Sequence, residues 1–197
     1  MHDLSLYLLE LLENSIRAGA DHIAVGFLAD RASDRLRLTV DDDGCGLDTT
    51  PDAALDPFYT TKKDKKTGLG LSLLKADAEA AGGHLTMDSS PMLSGVRVET
   101  ELILSHIDRP PIGDIGTSIM VMEMTNPTIS FTVSLTGDQF DPPVINGTLH
   151  EVRERLSRTV DRLDQQEPSQ SEHIATPFTP RKASSTKGLG GPKYDCR

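Results

Sequence analysis

The sequence predicts one main domain that combines helices and strands, followed by an extension. Two observations lead to this expectation. The chain has 197 residues and 37% hydrophobic side chains, which permits one sizeable core. Its apolar residues follow a helical period in some segments and alternate with polar residues in others.

The first helix is predicted over residues 3–18, where Gly19 gives a permissive stop. Its apolar residues at helical spacing are Leu4, Leu8, Leu11, Leu12 and Ile16. Residues 22–29 and 35–40 alternate like strands around the polar turn ADRASD. We expect these two strands to pair antiparallel.

A polar loop with one short helical turn is predicted over residues 50–67, which are rich in Pro, Asp, Thr and Lys. A helix then starts after Gly68 and Gly70 and ends at Gly82 and Gly83. Two strands, HLTMDS and VRVETELIL, follow around the turn SPMLSG.

The extension covers residues 105–140 and contains a loop, a helix over residues 115–125 and a strand, TISFTVSLTG. Residues 146–165 then form an amphipathic helix by the spacing of their apolar residues. This helix either docks on its own domain or forms a dimer seam. Residues 166–197 are predicted to be disordered, because their composition offers little surface to bury.

Charge and composition exclude several classes of function. A net charge of −10 disfavours general binding to nucleic acid or to an anionic membrane. The apolar stretch at residues 4–12 is too short for a membrane span and lacks the basic flank of a signal peptide, so we expect a cytoplasmic protein. Two cysteines and six scattered histidines predict no disulfide framework and no zinc site.

The stretch ELLENSIRAGAD places two polar residues on one face of the first helix. Glu10 and Asn14 are four residues apart, so their side chains project one turn above each other. Surface acids on a helix are usually only solvated. The pair nevertheless predicts that this face has a ligand.

Two further stretches have the chemistry of a nucleotide site. In VDDDGCGLD, a carboxylate at a strand end can accept a hydrogen bond from an exocyclic amine, and the glycines leave room for a flat base. In KKDKKTGLGLSLL, four lysines precede glycines that open a helix, whose free amides favour an anion such as phosphate. A solvated acidic run and a solvated basic loop are the alternatives.

These stretches, with DPFYTTK between them, resemble the N, G1, F and G2 boxes of the GHKL ATP-binding fold, in the order of that family. The first two boxes are similar to MutL, and the last two are similar to histidine kinases. The resemblance covers residues 1–104 and implies an α+β fold, a two-layer α/β sandwich whose mixed sheet is covered by helices on one face. Residues 105–140 resemble small stand-alone ATP-binding proteins associated with iron-only hydrogenase gene clusters.

The resemblance also implies roles for individual residues. Asn14 would hold Mg²⁺, Asp42 would bind the adenine amine, and Glu10 would be the catalytic base, as in gyrase and MutL. Histidine kinases usually have Asn at the position of Glu10. The remaining predicted ATP-binding residues are Gly44 and Gly46 under the base, Thr61 and Lys62 in a lid over residues 60–66, and Gly68, Leu69 and Gly70 at the phosphates.

The implied function is that of a slow Mg·ATPase, a regulatory or assembly factor whose nucleotide state signals to an unidentified protein partner. A homodimer is left open as a further partner. The first alternative is a protein kinase similar to the anti-sigma serine kinases, and the second is a non-catalytic adaptor that responds to ATP. We do not expect autophosphorylation on histidine. We expect no phosphoacceptor segment before residue 1, and the sequence after His106 lacks the acid of a phosphoacceptor box.

Overall fold

The structure is a computed structural model, and it describes residues 3–47, 49–55, 69–147 and 149–164. The helices are α1 (Leu4–Arg17), α2 (Pro51–Ala54), α3 (Leu69–Ala80), α4 (Ile115–Thr125) and α5 (Leu149–Asp164). The strands are β1 (His22–Asp30), β2 (Arg35–Asp42), β3 (His84–Ser89), β4 (Val96–Ile103), β5 (Ser130–Thr136) and β6 (Val144–Gly147). In the part of the chain that is described, no helix is long and apolar enough to cross a membrane.

The six strands form one mixed sheet in the order β3-β4-β2-β1-β5-β6. Strands β1 and β2 pair antiparallel, which confirms the pairing predicted for them. Strands β1 and β5 pair parallel, whereas the other neighbours are antiparallel. The predicted α+β class with a mixed sheet is therefore confirmed.

The helices lie side by side on one face of the sheet, and α1 is between α3 and α4. The sheet presents apolar side chains to this helix layer. One row of paired residues across four strands consists of Val25, Val40, Val98 and Met87, all buried. Burial of these side chains against the helices provides the main stabilisation of the two-layer arrangement.

The opposite face of the sheet is polar, and the residues on it are mostly half-buried. Glu101 accepts hydrogen bonds from Arg35 and Arg37 of the neighbouring strand. Asp41 is paired with Arg97 in the same way. Cross-strand ion pairs therefore neutralise the carboxylates on this face.

The extension continues the same sheet. Its strand β5 joins the edge beside β1, and α5 places its apolar side chains Val152, Leu156, Val160 and Leu163 in the interior. Gly116 of α4 lies so close to α5 that an added Cβ would be 3.2 Å from the Cα of Arg153. The amphipathic face of α5 thus packs against its own chain.

Three details differ from the expectation, and the first is that β2 continues to Asp42, two residues beyond its predicted end. Helix α3 begins at Leu69, so Gly70 lies in its first turn rather than before the helix. The short strand β6 was not predicted, because four residues that end in Asn-Gly give no clear alternation. The predicted lid over residues 60–66 and the tail from residue 166 lie outside the described residues.

Candidate functional site

Helix α1 positions the predicted catalytic face. The side chain of Asp3 caps the helix by accepting a hydrogen bond from the backbone amide of Leu6 at 2.9 Å. The apolar side of the helix is buried against the sheet, and Glu10 is exposed on the other side. The helix thus presents the polar face that its sequence predicts.

The carboxylate of Glu10 lies against the first turn of α3. A Cβ added at Gly70 would be 1.6 Å from Glu10 Oε2, so only a residue without a side chain allows this position of the carboxylate. The amides in the first turn of a helix have no partner within the helix and favour negative charge. The fold therefore brings together two predicted site residues that are 60 positions apart in the sequence.

A second contact joins the same two helices one turn earlier. The hydroxyl of Tyr7 donates a hydrogen bond of 2.5 Å to Asp77 Oδ2 on α3. Burial raises the pKa of the Tyr7 hydroxyl well above its usual range, and the hydrogen bond to Asp77 and the charges of Asp77 and Glu10 raise it further. Tyr7 stays protonated and keeps α1 and α3 at a fixed spacing.

Asn14 is half-buried one turn after Glu10. Its Oδ1 accepts a hydrogen bond from Nη2 of Arg17, whose Nε donates to the carbonyl of Glu13 at 3.0 Å. The sequence reasoning did not select Arg17. Its position three residues after Asn14 was the available signal, because residues at that spacing are neighbours on a helix.

Asp42 is buried at the end of β2, with 5% of its surface exposed. Its Oδ2 accepts a hydrogen bond of 2.7 Å from the hydroxyl of Ser15 on α1. Its Oδ1 accepts bonds from the backbone amides of Gly44 at 3.0 Å and Val96 at 3.1 Å. These neutral donors fix the carboxylate and leave acceptor capacity on Oδ2, since each carboxylate oxygen can accept about two bonds.

Glycines around Asp42 allow close contacts that a larger residue would prevent. An added Cβ at Gly44 would be 2.8 Å from the Cβ of Ala18, at the end of α1. A Cβ at Gly95 would be 2.3 Å from Asp42 Oδ1, so this glycine, which the sequence reasoning missed, is also required. Gly46 has a φ of +79°, a conformation that favours glycine.

The neighbours of Asp42 have other roles. Asp41 lies on the opposite face of the sheet, where it accepts hydrogen bonds from Arg97 and from the hydroxyl of Ser90. Asp43 accepts bonds from the backbone amides of Asp21 and His22 at the start of β1. Of the three consecutive acids, only Asp42 lies between the sheet and α1.

Part of the predicted site cannot be placed. Thr61, Lys62 and Gly68 lie outside the described residues. Leu69 is the first residue of α3, but its side chain is also outside the described part. Their assignment as ATP-binding residues stays a prediction, as do those of Glu10, Asn14, Asp42, Gly44, Gly46 and Gly70.

The oxygen donors on α1 fit a Mg²⁺ ion that is shared with a phosphate ligand. Mg²⁺ is typically held by one or two protein groups together with substrate phosphates and water. The amide oxygen of Asn14 retains a lone pair beside its bond from Arg17, and the Glu10 carboxylate lies one turn away. No cluster of three or more His, Cys, Asp or Glu side chains suited to a metal occurs among the described residues, so phosphate oxygens would have to complete the coordination.

Comparison with known proteins gives a family for this arrangement. Residues 2–111 match the model of the family described as histidine kinase-, DNA gyrase B-, and HSP90-like ATPase. The sensor protein kinase CarS of Pseudomonas aeruginosa is 42% identical over 80 residues, which are 38% of this chain and 17% of the kinase. The chain therefore matches only a small part of that relative's length.

The chain also matches solved structures, among them the following two. The mycobacterial sensor histidine kinase MprB is 21% identical with a TM-score of 0.39, over 49% of this chain and 66% of that one. The ATPase domain of Aquifex aeolicus MutL, solved with ADP, is 14% identical with a TM-score of 0.41, over 80% and 70% of the two chains.

Proposed function

Because the chain belongs to the family of histidine kinase-, DNA gyrase B- and HSP90-like ATPases, we propose that it binds ATP with Mg²⁺ and hydrolyses it slowly. The nucleotide state would then be recognised by a protein partner, so that the protein acts as a regulatory or assembly factor.

The observation that carries the proposal is the contact between Glu10 and Gly70. It brings a carboxylate to the N-terminus of α3, where the amides of the first turn, which have no acceptor within the helix, favour a phosphate. A carboxylate at this place can accept a proton from water that attacks the terminal phosphorus. Positioned general bases typically accelerate such steps by about 10²–10⁴-fold.

Asp42 would bind the other end of the nucleotide. Its carboxylate is fixed by the Ser15 hydroxyl and two backbone amides, all of them donors, and it lies on the helix side of the sheet. An exocyclic amine of adenine is a further donor of the kind that Oδ2 can accept. Gly46, where an added Cβ would meet none of the described atoms within 4 Å, would leave the adjoining backbone uncovered for the flat base, whereas Gly44 is packed against Ala18.

Mg²⁺, when bound, would neutralise phosphate charge and orient the terminal phosphoryl group. Asn14 would hold the ion through its amide oxygen. Arg17, which already donates to that oxygen, adds a positive charge beside the phosphates. Together these groups would offset the repulsion between the phosphates and Glu10.

The extension over residues 105–140 supports the proposal of a protein partner. The resemblance of residues 105–140 to ATP-binding proteins of iron-only hydrogenase gene clusters supports an assembly role in that setting. Strand β5 of the extension pairs directly with β1, next to the strand that ends at Asp42. A change around the nucleotide could thus reach the extension through the sheet.

A protein kinase is the second candidate, and the 42% identity to a sensor kinase favours it. Glu10 can accept a proton from a serine hydroxyl as well as from water, so the same site could transfer phosphate to a protein. An adaptor that binds ATP without turnover is the third.

The test compares three single variants of the full chain: Glu10→Ala, Asn14→Ala and the matched control Glu13→Ala. Glu13 is also an exposed acid of α1, but the carboxylate that lies against Gly70 is that of Glu10. We expect Glu10→Ala to lower phosphate release by about 100-fold and to keep ATP affinity, because only proton transfer is lost. Asn14→Ala should lower both turnover and Mg·ATP affinity, and Glu13→Ala should change neither.

Phosphate release and calorimetric titration with ATP, with and without Mg²⁺, measure these outcomes. Glu10→Ala protein with the parent's turnover would refute the role of Glu10 as the base. A parent that binds ATP tightly but releases no phosphate would refute hydrolysis and support the adaptor. Transfer of radiolabel to a co-purified protein would support the kinase instead.

A further inference from the structure

A small basic groove lies in the part of the chain that follows β5, at the opposite end of the sheet from β3. It is formed by α5 and by the loop between β5 and β6, and its volume is about 150 Å³. Its charged lining consists of Arg155, Arg158 and Arg162 on α5 and Asp141 in the loop. The polar residues Gln139 and Thr159 also line it, and Phe140 contributes an apolar wall.

The three arginines occupy one face of α5, because they are separated by three and four residues. Like charges at this spacing repel each other and destabilise a helix. Only Arg158 has a carboxylate partner, Glu154 at 2.5 Å on the exposed side. In the described part of the chain, no carboxylate lies within ion-pair distance of Arg155 or Arg162.

The two uncompensated arginines are held by backbone carbonyls. Arg155 Nη1 donates to the carbonyl of Pro142 at 2.5 Å, and Arg162 Nε donates to the carbonyl of Arg158 at 3.1 Å. A guanidinium has five N–H donors, so most of the donors of each remain available. These bonds orient the side chains without neutralising their charge.

Thr159 adds a neutral donor. It lies between the arginines on α5, with only 4% of its surface exposed, and its Oγ1 accepts a bond from Arg162 Nη2 at 3.4 Å. The proton of this hydroxyl has no acceptor among the described residues. A buried donor without an acceptor is costly, and an acceptor atom bound in the groove would remove that cost.

We propose that this groove binds a phosphate monoester, at a site separate from that of ATP. Three arginines and one aspartate give the lining a formal charge of about +2, and Glu154, the partner of Arg158, lowers the local charge to about +1, which attracts a phosphate monoester of about −1.5 to −2. The three oxygens of the phosphate can accept from the guanidinium groups and from the Thr159 hydroxyl together. This local positive charge lies on a chain whose net charge is −10, so it marks one site for an anion.

The size of the groove limits the ligand. Pockets for whole small molecules usually measure about 300–1,000 Å³. A volume of about 150 Å³ holds a phosphate group, while the rest of the ligand stays outside. The groove therefore suits the phosphate of a phosphorylated side chain or of a small metabolite, and it would not enclose a nucleotide.

The experiment titrates the full chain with inorganic phosphate, O-phosphoserine and glutamate by calorimetry. Four variants are compared with the parent: Arg155→Gln, Arg162→Gln, Thr159→Val and the control Arg153→Gln. Arg153 is an exposed arginine of α5 outside the groove, near Met120. ATP affinity is measured on each protein, so that failure here is separated from failure of the ATP site.

We expect the parent and Arg153→Gln to bind both phosphate probes. Arg155→Gln and Arg162→Gln should each weaken binding by about tenfold or more, and Thr159→Val by about fivefold, with ATP affinity unchanged. Binding of O-phosphoserine but not inorganic phosphate would assign the site to a phosphorylated side chain. Equal phosphate affinity in both arginine variants, no phosphate binding by the parent, or equal binding of glutamate would each overturn the proposal.

Discussion

The carboxylates on the two faces of the sheet have different kinds of hydrogen-bond donor. On the open face, Asp41 and Glu101 are paired with arginines of neighbouring strands. On the helix side, the buried Asp42 and the half-buried Asp77 of α3 accept bonds from the neutral donors Ser15, Tyr7 and backbone amides. A carboxylate paired with arginine is already neutralised, whereas one held by neutral donors keeps its charge for a further donor.

This difference separates carboxylates that stabilise the sheet from those available to a ligand. Asp41 and Asp42 make the comparison sharp, because they are adjacent in sequence and almost equally buried, at 3% and 5% exposure. Burial alone would not distinguish them. The identity of their hydrogen-bond donors does.

The largest expected effect comes from exchanging each of these two carboxylates for an amide. Asp42→Asn should weaken ATP binding by about 100-fold, because an amide N–H would face the adenine amine while Oδ1 can still accept from Gly44 and Val96. Asp41→Asn should leave ATP affinity unchanged and lower the free energy of unfolding by about 2 kcal/mol, since the ion pair with Arg97 is lost.

Calorimetric ATP titration gives the ATP affinity of both variants, and urea unfolding gives their free energies of unfolding. Each variant is the control for the other, because the chemical change is the same and the positions are adjacent. If Asp41→Asn weakened ATP binding as much as Asp42→Asn, the comparison between the two faces would fail.

Some of the carboxylates in this comparison could be predicted from the sequence. Helical spacing selected Glu10 and Asn14, and the strand end selected the acidic run over residues 41–43, within which the family resemblance indicated Asp42. The strand was predicted to end at residue 40, whereas β2 continues to Asp42. With two more residues in the strand, alternation alone would have placed Asp41 and Asp42 on opposite faces.

The partners of these residues could not be predicted in the same way. Ser15 is 27 positions from Asp42, and Val96 is 54 positions away. Such contacts depend on the order and register of the strands, which local periodicity does not specify. The requirement for glycine at position 95 has the same origin, since it follows from the approach of Asp42 across the sheet.

The variant Tyr7→Phe tests the role of a neutral donor on the helix side, because it removes the Tyr7 hydroxyl and with it part of the pH dependence of stability. The raised pKa of Tyr7 means that the folded protein binds the phenolic proton more tightly than the unfolded chain does. The resulting stability is fully present below the unfolded value of about 10 and is lost as the pH rises above it. Between pH 10 and 11, the parent should lose up to about 1.4 kcal/mol per pH unit more than Tyr7→Phe.

Urea unfolding between pH 8 and 11 gives the two slopes. Below pH 9, Tyr7→Phe should be less stable by about 1 kcal/mol at every pH, because Asp77 loses its hydroxyl donor. Parallel pH profiles for the two proteins up to pH 11 would contradict the raised pKa of Tyr7 and would show that its bond to Asp77 does not change that pKa.

The smallest expected effect concerns Thr100, a polar residue on the helix side that has neither an arginine nor a neutral partner. It is fully buried between the paired residues Leu38 and Leu85, and its Oγ1 has no hydrogen-bond partner in the described part of the chain. Thr100→Val keeps the shape and removes the unsatisfied hydroxyl, so it should stabilise the protein by about 1 kcal/mol and raise the Tm by about 2–4 °C. The control is Thr39→Val on the open face, where the half-buried hydroxyl can reach water and the change should stay within about 0.5 kcal/mol. Thermal unfolding gives the Tm of both variants. A loss of stability in Thr100→Val would mean that a buried water or a group of the chain satisfies this hydroxyl. The helix side would then leave no polar atom without a partner.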